Sequence, residues 1–260
     1  MRIVEQSAQR VDPRCAVFQR CGGCHFQHLS YEAQLEAKRG MLVESLARLG
    51  GITLESAPAV IAAEPWHYRN RAQLHFDGGK IGFHAAGSNR LVEISECPIS
   101  SPKLNEAIAA LRQMRREPRF PKFLHAVELF TDEQTVQMNV LAAAKPVAKG
   151  FFDWAAERIP GANRPALDYR VGSRLFRVSY QSFFQVNRFL LEPLIEAALR
   201  DAEGYQALDL YAGVGLFTLP LTERFSRKVT AVEVVKSAAG DLTFNLERAG
   251  REAAVVQQNV

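Results

Sequence analysis

Four cysteines are the first residues in this chain whose type and spacing point to chemistry. Cys15, Cys21 and Cys24 follow the pattern Cys-x5-Cys-x2-Cys, with Gly22 and Gly23 between the last two. Cys97 lies far downstream and precedes Pro98. Glycines at such a place let the backbone wrap closely around a metal centre. Three close thiols and a distant Cys-Pro match the four thiolates of a 4Fe–4S cluster. Structural zinc is the competing reading, with four thiolates or with His25 or His28 as an imidazole ligand. Buried thiols without a ligand are the third. Spacing alone leaves all three open.

A second stretch with chemical content is Ala207–Leu221, ALDLYAGVGLFTLPL. An apolar run ending at Tyr211 reads as a buried strand. Gly213-Val214-Gly215 breaks it, and Leu216–Leu221 reads as the start of a helix. Strand, glycine turn and helix start together make a nucleotide-type cradle, in which the backbone approaches a ligand closely. Lys228–Val235 is a second β-branched strand, and Glu233 lies near its end. An acid about 20 residues beyond the glycines is placed to accept ribose hydroxyls. Gln185 is polar within the aromatic run Leu175–Asn187, and reads as either a satisfied core amide or a ligand contact.

The elements that must position these residues follow from pattern. Residues 1–10, with Ile3 and Val4, read as a lone terminal strand. Ser30 caps a helix to about Leu49, with Glu32 in its first turn and Arg48 in its last. Its Leu35, Leu42, Leu46 and Leu49 form a stripe that reads as core. Residues 58–66 are a linker with two prolines. Arg69–Phe76 alternates, Asp77-Gly78-Gly79-Lys80 is a hairpin signal, and a strand returns. Leu91–Ile94 leads to Cys97, so this sheet delivers the fourth thiol. A helix over Ser101–Arg115 and a hairpin from Ala126–Phe130 complete a small α/β unit over about 58–165. Asn187 is expected to cap a helix over Arg188–Asp201, and another helix runs from Ser237 to Ala249. Ala253–Gln258 is a third strand. The stretch Arg112–Lys122 carries five cations and reads either as a solvated helix end or as phosphate contacts.

Composition frames these readings. The chain has 260 residues, 47% hydrophobic and 23% charged, with net charge +4. Its pI is about 8.9. The balance permits nucleic acid as a partner. No apolar run approaches the ~20 residues of a membrane span, and the N-terminus has no apolar signal region. A cytoplasmic, membrane-free setting is the default expectation.

The ordered set of motifs resembles the RNA (uracil-5)-methyltransferases. Those motifs are Cys15…Cys21-Gly-Gly-Cys24…Gln27-His28-Leu29, Tyr68-Arg69-Asn70-Arg71, Cys97-Pro98, Ser182-Phe-Phe-Gln-Val-Asn187 and Asp209-Leu-Tyr-Ala-Gly-Val-Gly215. The resemblance implies an α/β chain in three parts. A cysteine-cluster segment covers 1–57, a small α/β RNA-binding domain 58–165, and an incomplete Rossmann-like methyltransferase domain 166–260. It implies S-adenosylmethionine and a 4Fe–4S cluster as cofactors and rRNA or tRNA as partner. Cys15, Cys21, Cys24 and Cys97 become cluster ligands. Gln185, Tyr211, Gly213, Glu233 and Asn259 become cofactor contacts. Leu216 departs from the polar residue common in the family, which implies weaker cofactor binding. The family's nucleophilic cysteine and carboxylate base fall beyond the residues given, so no catalytic residue is assigned. The expectation is a truncated or split product whose first parallel strand is an exposed edge, completed by a second chain. A non-catalytic iron–sulfur RNA-binding remnant is the alternative, and a small-molecule methyltransferase fits the basic stretch and the cysteines less well.

Overall fold

The computed structural model describes residues 4–260. Ile3 of the expected terminal strand lies outside them. Residues 4–10 form no strand: Val4 is exposed, and Arg10 makes a single bridge to Leu29.

The first helix, α1 (Tyr31–Gly50), starts as its sequence dictates. The Ser30 side chain accepts from the Ala33 N–H at 3.3 Å, and Gly51 ends the helix in the left-handed region. Its apolar stripe is not core. Only Ala33 is buried, while Leu42 and Leu49 are exposed. The helix is anchored at its first turn, where the Tyr31 hydroxyl donates to the Ala63 carbonyl at 2.7 Å. Helical spacing makes a stripe, but only a partner surface makes it a core.

The central unit is an antiparallel sheet of β1 (Arg71–Asp77), β2 (Lys80–His84), β3 (Leu91–Glu93), β4 (Leu124–Thr131) and β5 (Val136–Ala143), in the order β3-β2-β1-β4-β5. Asp77 pairs with Lys80 around Gly78 and Gly79, both at positive φ, as a two-residue hairpin of primed type requires. Helix α2 (Pro102–Met114), capped by Ser101, buries Leu104, Ala107, Ile108, Leu111 and Met114 at helical spacing. With α3 (Lys149–Ala156), which the sequence patterns did not mark, it packs with the sheet in one apolar core.

A second core begins at an unanticipated hairpin, β6 (Ala166–Val171) with β7 (Arg174–Ser179). Helix α4 (Leu191–Leu199) follows. It starts later than expected: Asn187 accepts from the Phe189 N–H at 3.1 Å in a turn that precedes the helix, whose N-cap position is Leu190. Then come β8 (Gly204–Leu210), α5 (Thr218–Arg224), β9 (Phe225–Val232), α6 (Lys236–Arg248) and β10 (Ala254–Val256). The three strands are parallel in the order β10-β9-β8, with Leu210 beside Val232 and Val232 beside Val256. Their carboxyl ends therefore share one edge. β8 is an outer strand among the described residues, with Leu208 61% and Tyr205 69% exposed; its apolar run, read as a buried strand, is instead the exposed edge expected of an incomplete sheet, because no neighbour covers its open side.

Candidate functional site

The cysteine loop is closed by contacts remote in sequence. Cys21 bridges to Ala85 just past β2, and the Gly22 N–H donates to the His84 carbonyl at 3.0 Å. Gly22 has no room for a side chain against Ala86, whose backbone lies 3.2 Å from where a Cβ would stand. The Cys15 N–H donates to Gln27 Oε1 at 3.1 Å. Cys97 is held from α2: its N–H donates to Asn105 Oδ1 at 2.8 Å, and Asn105 Nδ2 returns bonds to the Cys97 and Ser100 carbonyls. Neither Gln27 nor Asn105 is marked by spacing as a cysteine-positioning residue.

All four cysteines are free thiols and line one cavity of about 580 Å³. Burial pushes the Cys21 and Cys24 thiols up, and their neighbouring cysteines, Cys97 and Cys15 among them, push the same way. The Gln27 amide opposes the shift at Cys24. Among the described residues, no group of three or more His, Cys, Asp or Glu is disposed to hold a metal ion. The four thiols that line the cavity equal in number the donors a 4Fe–4S cluster takes.

The other candidate site lies at the carboxyl edge of the parallel sheet. Tyr211, directly after β8, takes φ +59° and is 70% exposed. Gly213 follows at φ +57°, with open space where a side chain would stand. Glu233, directly after β9, is buried; its Oε2 accepts from the Gly213 N–H and its Oε1 from the Val235 N–H, both at 2.8 Å. One carboxylate therefore ties the glycine turn to the end of the next strand, and each oxygen keeps a further lone pair. Asn259 stands exposed three residues beyond Val256, whose carbonyl accepts from the Glu233 N–H at 3.1 Å. An exposed aromatic, a side-chain-free turn and an anchored acid fit a nucleoside better than a bare anion.

The helix of this cradle begins at Thr218, two residues later than expected, and it is short. Its first hydroxyl donates to Asp209 Oδ2 at 2.6 Å. Burial pushes the Asp209 carboxyl up; that hydrogen bond opposes the shift, and the charge on Glu233 adds to it. Leu216 is buried in the second core, so the family departure at this position contributes packing.

Gln185 is half-buried, and its side chain makes no hydrogen bond among the described residues, which removes the satisfied-core-amide reading. Its carbonyl accepts from Asn70 Nδ2 at 3.0 Å, and Asn70 also donates to the Tyr169 hydroxyl at 3.2 Å. Asn70 thereby joins the central sheet to the second unit.

Helix α6 braces both flanks of the cradle. Asp241, 3% exposed, accepts from the Ser179 N–H, the Ser179 hydroxyl and the Ser182 hydroxyl at 2.7–2.8 Å. Four residues on, fully buried Asn245 donates to the Val214 carbonyl at 2.9 Å and exchanges bonds with the Arg177 backbone. The helical spacing puts both on one face: one fixes the segment leading to Gln185, the other the glycine turn. No motif marks either residue.

The chain is similar to known RNA methyltransferases. Residues 165–255 match the family model described as tRNA (Uracil-5-)-methyltransferase. An uncharacterized RNA methyltransferase of Thermosynechococcus vestitus is 31% identical, over 96% of this chain and 65% of its own length. The 23S rRNA (uracil(1939)-C(5))-methyltransferase RlmD of Haemophilus parainfluenzae is 30% identical, over 93% of this chain and 61% of its own. The crystal structure of Pyrococcus abyssi tRNA (uracil-54, C5)-methyltransferase, in complex with S-adenosyl-L-homocysteine, shares the fold. Its TM-score is 0.72 at 23% identity, over 98% of this chain and 67% of that one. By residues 165–255 the chain matches the RNA (uracil-5)-methyltransferase family, and nearly all of it is similar to RNA methyltransferases. It spans less than two thirds of the length of these curated relatives.

Proposed function

We propose that this chain binds S-adenosylmethionine in the cradle at the carboxyl edge of its parallel sheet and acts in methylation of uridine C5 in RNA. The observation that carries the reading is Glu233, held between the Gly213 and Val235 N–H groups beside exposed Tyr211. The carboxylate accepts the ribose hydroxyls with its remaining lone pairs. Tyr211 packs on the cofactor, Gly213 lets the backbone approach it, and Asn259 stands on its adenine side. Gln185, with its amide free, contacts it from the segment braced by Asp241 and Asn70. When bound, the cofactor supplies a sulfonium methyl group. The residues of this chain bind and orient it; none is assigned as nucleophile or base.

The four cysteines are proposed as the ligands of an iron–sulfur cluster, with zinc as the alternative. Support comes from their gathering around one cavity and from the absence of disulfides. Methyl transfer from a sulfonium needs no electron transfer, so the role is structural or RNA-orienting.

Calorimetric titration of the purified chain with S-adenosyl-L-homocysteine tests the cradle. Glu233→Ala is expected to weaken binding about tenfold to a hundredfold, from ~1.5–3 kcal/mol for hydrogen bonds to a charged group. Glu233→Gln, which can still accept from the turn, should lose less. A wild-type chain that holds iron and binds RNA but not this ligand would instead support a non-catalytic RNA-binding protein. A visible absorption spectrum after anaerobic reconstitution tests the cluster, and zinc without an iron–sulfide band refutes it.

A further inference from the structure

The basic stretch Arg112–Lys122 is not one surface. The Arg115 guanidinium lies over the Phe120 ring at 5.1 Å. Arg119 lies over Trp154 at 4.1 Å and pairs with Glu117 and Glu157 at 3.5 and 3.9 Å. Both cations serve the packing of the central unit. Arg112, in the last turn of α2, takes part in a different grouping. It lines an open groove of about 430 Å³ along the outer strand β3, together with Arg20, Lys80 and Arg90.

These four cations come from four places in the chain: the cysteine loop, the start of β2, the connection before β3, and α2. Among the described residues none of them makes an ion pair, and Glu93 is the groove's one carboxylate. Convergent like charges repel, and an anion in the groove offsets that repulsion. The helix end nearest the groove is a C-terminus, whose dipole disfavours a small buried anion. The donors are long side chains on separate elements, as suits a charged strand that tracks past them. Arg20 is placed by the cysteine loop itself, since its carbonyl accepts from the Ala86 N–H at 3.4 Å.

We propose that the groove along β3, lined by Arg20, Lys80, Arg90 and Arg112, is a docking track for the phosphate backbone of RNA. This deepens the RNA methyltransferase reading and rests on it. The test is fluorescence anisotropy of the full chain with a short labelled RNA hairpin carrying uridines in its loop, over a series of salt concentrations. Replacing all four cations with Gln should weaken binding about tenfold or more at low salt. The slope of log affinity against log salt should fall by about 0.7–0.9 per contact removed. The Arg20→Lys, Arg90→Lys, Arg112→Lys variant keeps the charge and should restore most of the slope, which separates lost contacts from lost fold. Arg116→Gln with Lys122→Gln, outside the groove, should leave the slope near wild type. An unchanged slope in the Gln variant, with wild-type RNA binding intact, overturns the groove and leaves the methyltransferase reading standing. A wild-type chain with no affinity for the hairpin overturns both.

Discussion

The cysteine cavity and the glycine cradle are built by opposite means. The cradle is mostly local: strand, turn, helix and next strand follow within 30 residues, and a carboxylate on the second strand end closes the turn. The cavity is assembled from distant pieces. Asn105 on α2 clasps Cys97, Gln27 holds Cys15, and the connection after β2 pins Cys21. A site made of consecutive elements tolerates loose surroundings, because its backbone hydrogen bonds define it. A site made of loops depends on each remote clasp. The difference also appears in exposure: the cradle's Tyr211 stands open at the surface, whereas burial and neighbouring thiols act on Cys21 and Cys24.

Removing a thiol probes the comparison most severely. Cys97→Ser is expected to abolish the iron–sulfide absorption band of the reconstituted protein, read against total iron. Retention of the full band would show that the cavity does not need its distant fourth donor.

The cradle also has remote braces, and Asp241→Ala measures the one that holds the segment leading to Gln185. The change strands two serine hydroxyls and a backbone N–H, and should cost about 3 kcal/mol in denaturant unfolding. A cost below ~1 kcal/mol would show that the segment leading to Gln185 does not need this brace. Gly215→Ala should cost about 2 kcal/mol, because the glycine is at φ +94° and a Cβ would stand 2.6 Å from Leu242 Cδ1.

The smallest expected effect is a pH dependence. Asp209 has its carboxyl raised in the fold, so the folded state favours the protonated form. The destabilisation this implies is absent below the unfolded carboxyl pKa of about 3.9 and grows as pH rises toward the folded value. Asp209→Asn removes it while leaving an acceptor for Thr218. The melting temperature of the variant should therefore gain on wild type as pH rises from about 4, then level off. A constant difference across pH would show that Asp209 carries no such shift.

Much of this was legible in the residues. The Ser30 cap, the Asp77–Lys80 hairpin and the three parallel strands each rest on rules that act over a few residues. Other features escaped for a physical reason. The leucines of α1 have the spacing of a core stripe, yet Leu42 and Leu49 stand exposed and Leu35 and Leu46 are only half-buried. Asn187 has the chemistry of a cap and makes such a bond to the Phe189 N–H, yet the chain passes through a turn before the helix begins at Leu191. Arg112 sits in a run of cations, yet its grouping is with residues more than twenty positions away or further.

The amino-acid order by itself determined the cradle's parts and the family motifs, because strand period, glycine freedom and acid placement are local properties of the chain. Only the tertiary structure decided which distant groups complete the two sites. Asn105 behind Cys97, Asp241 and Asn245 behind the cradle, and the four cations along β3 are ordinary polar residues until folding brings them together. Their roles come from desolvation and proximity, which exist only once the elements pack.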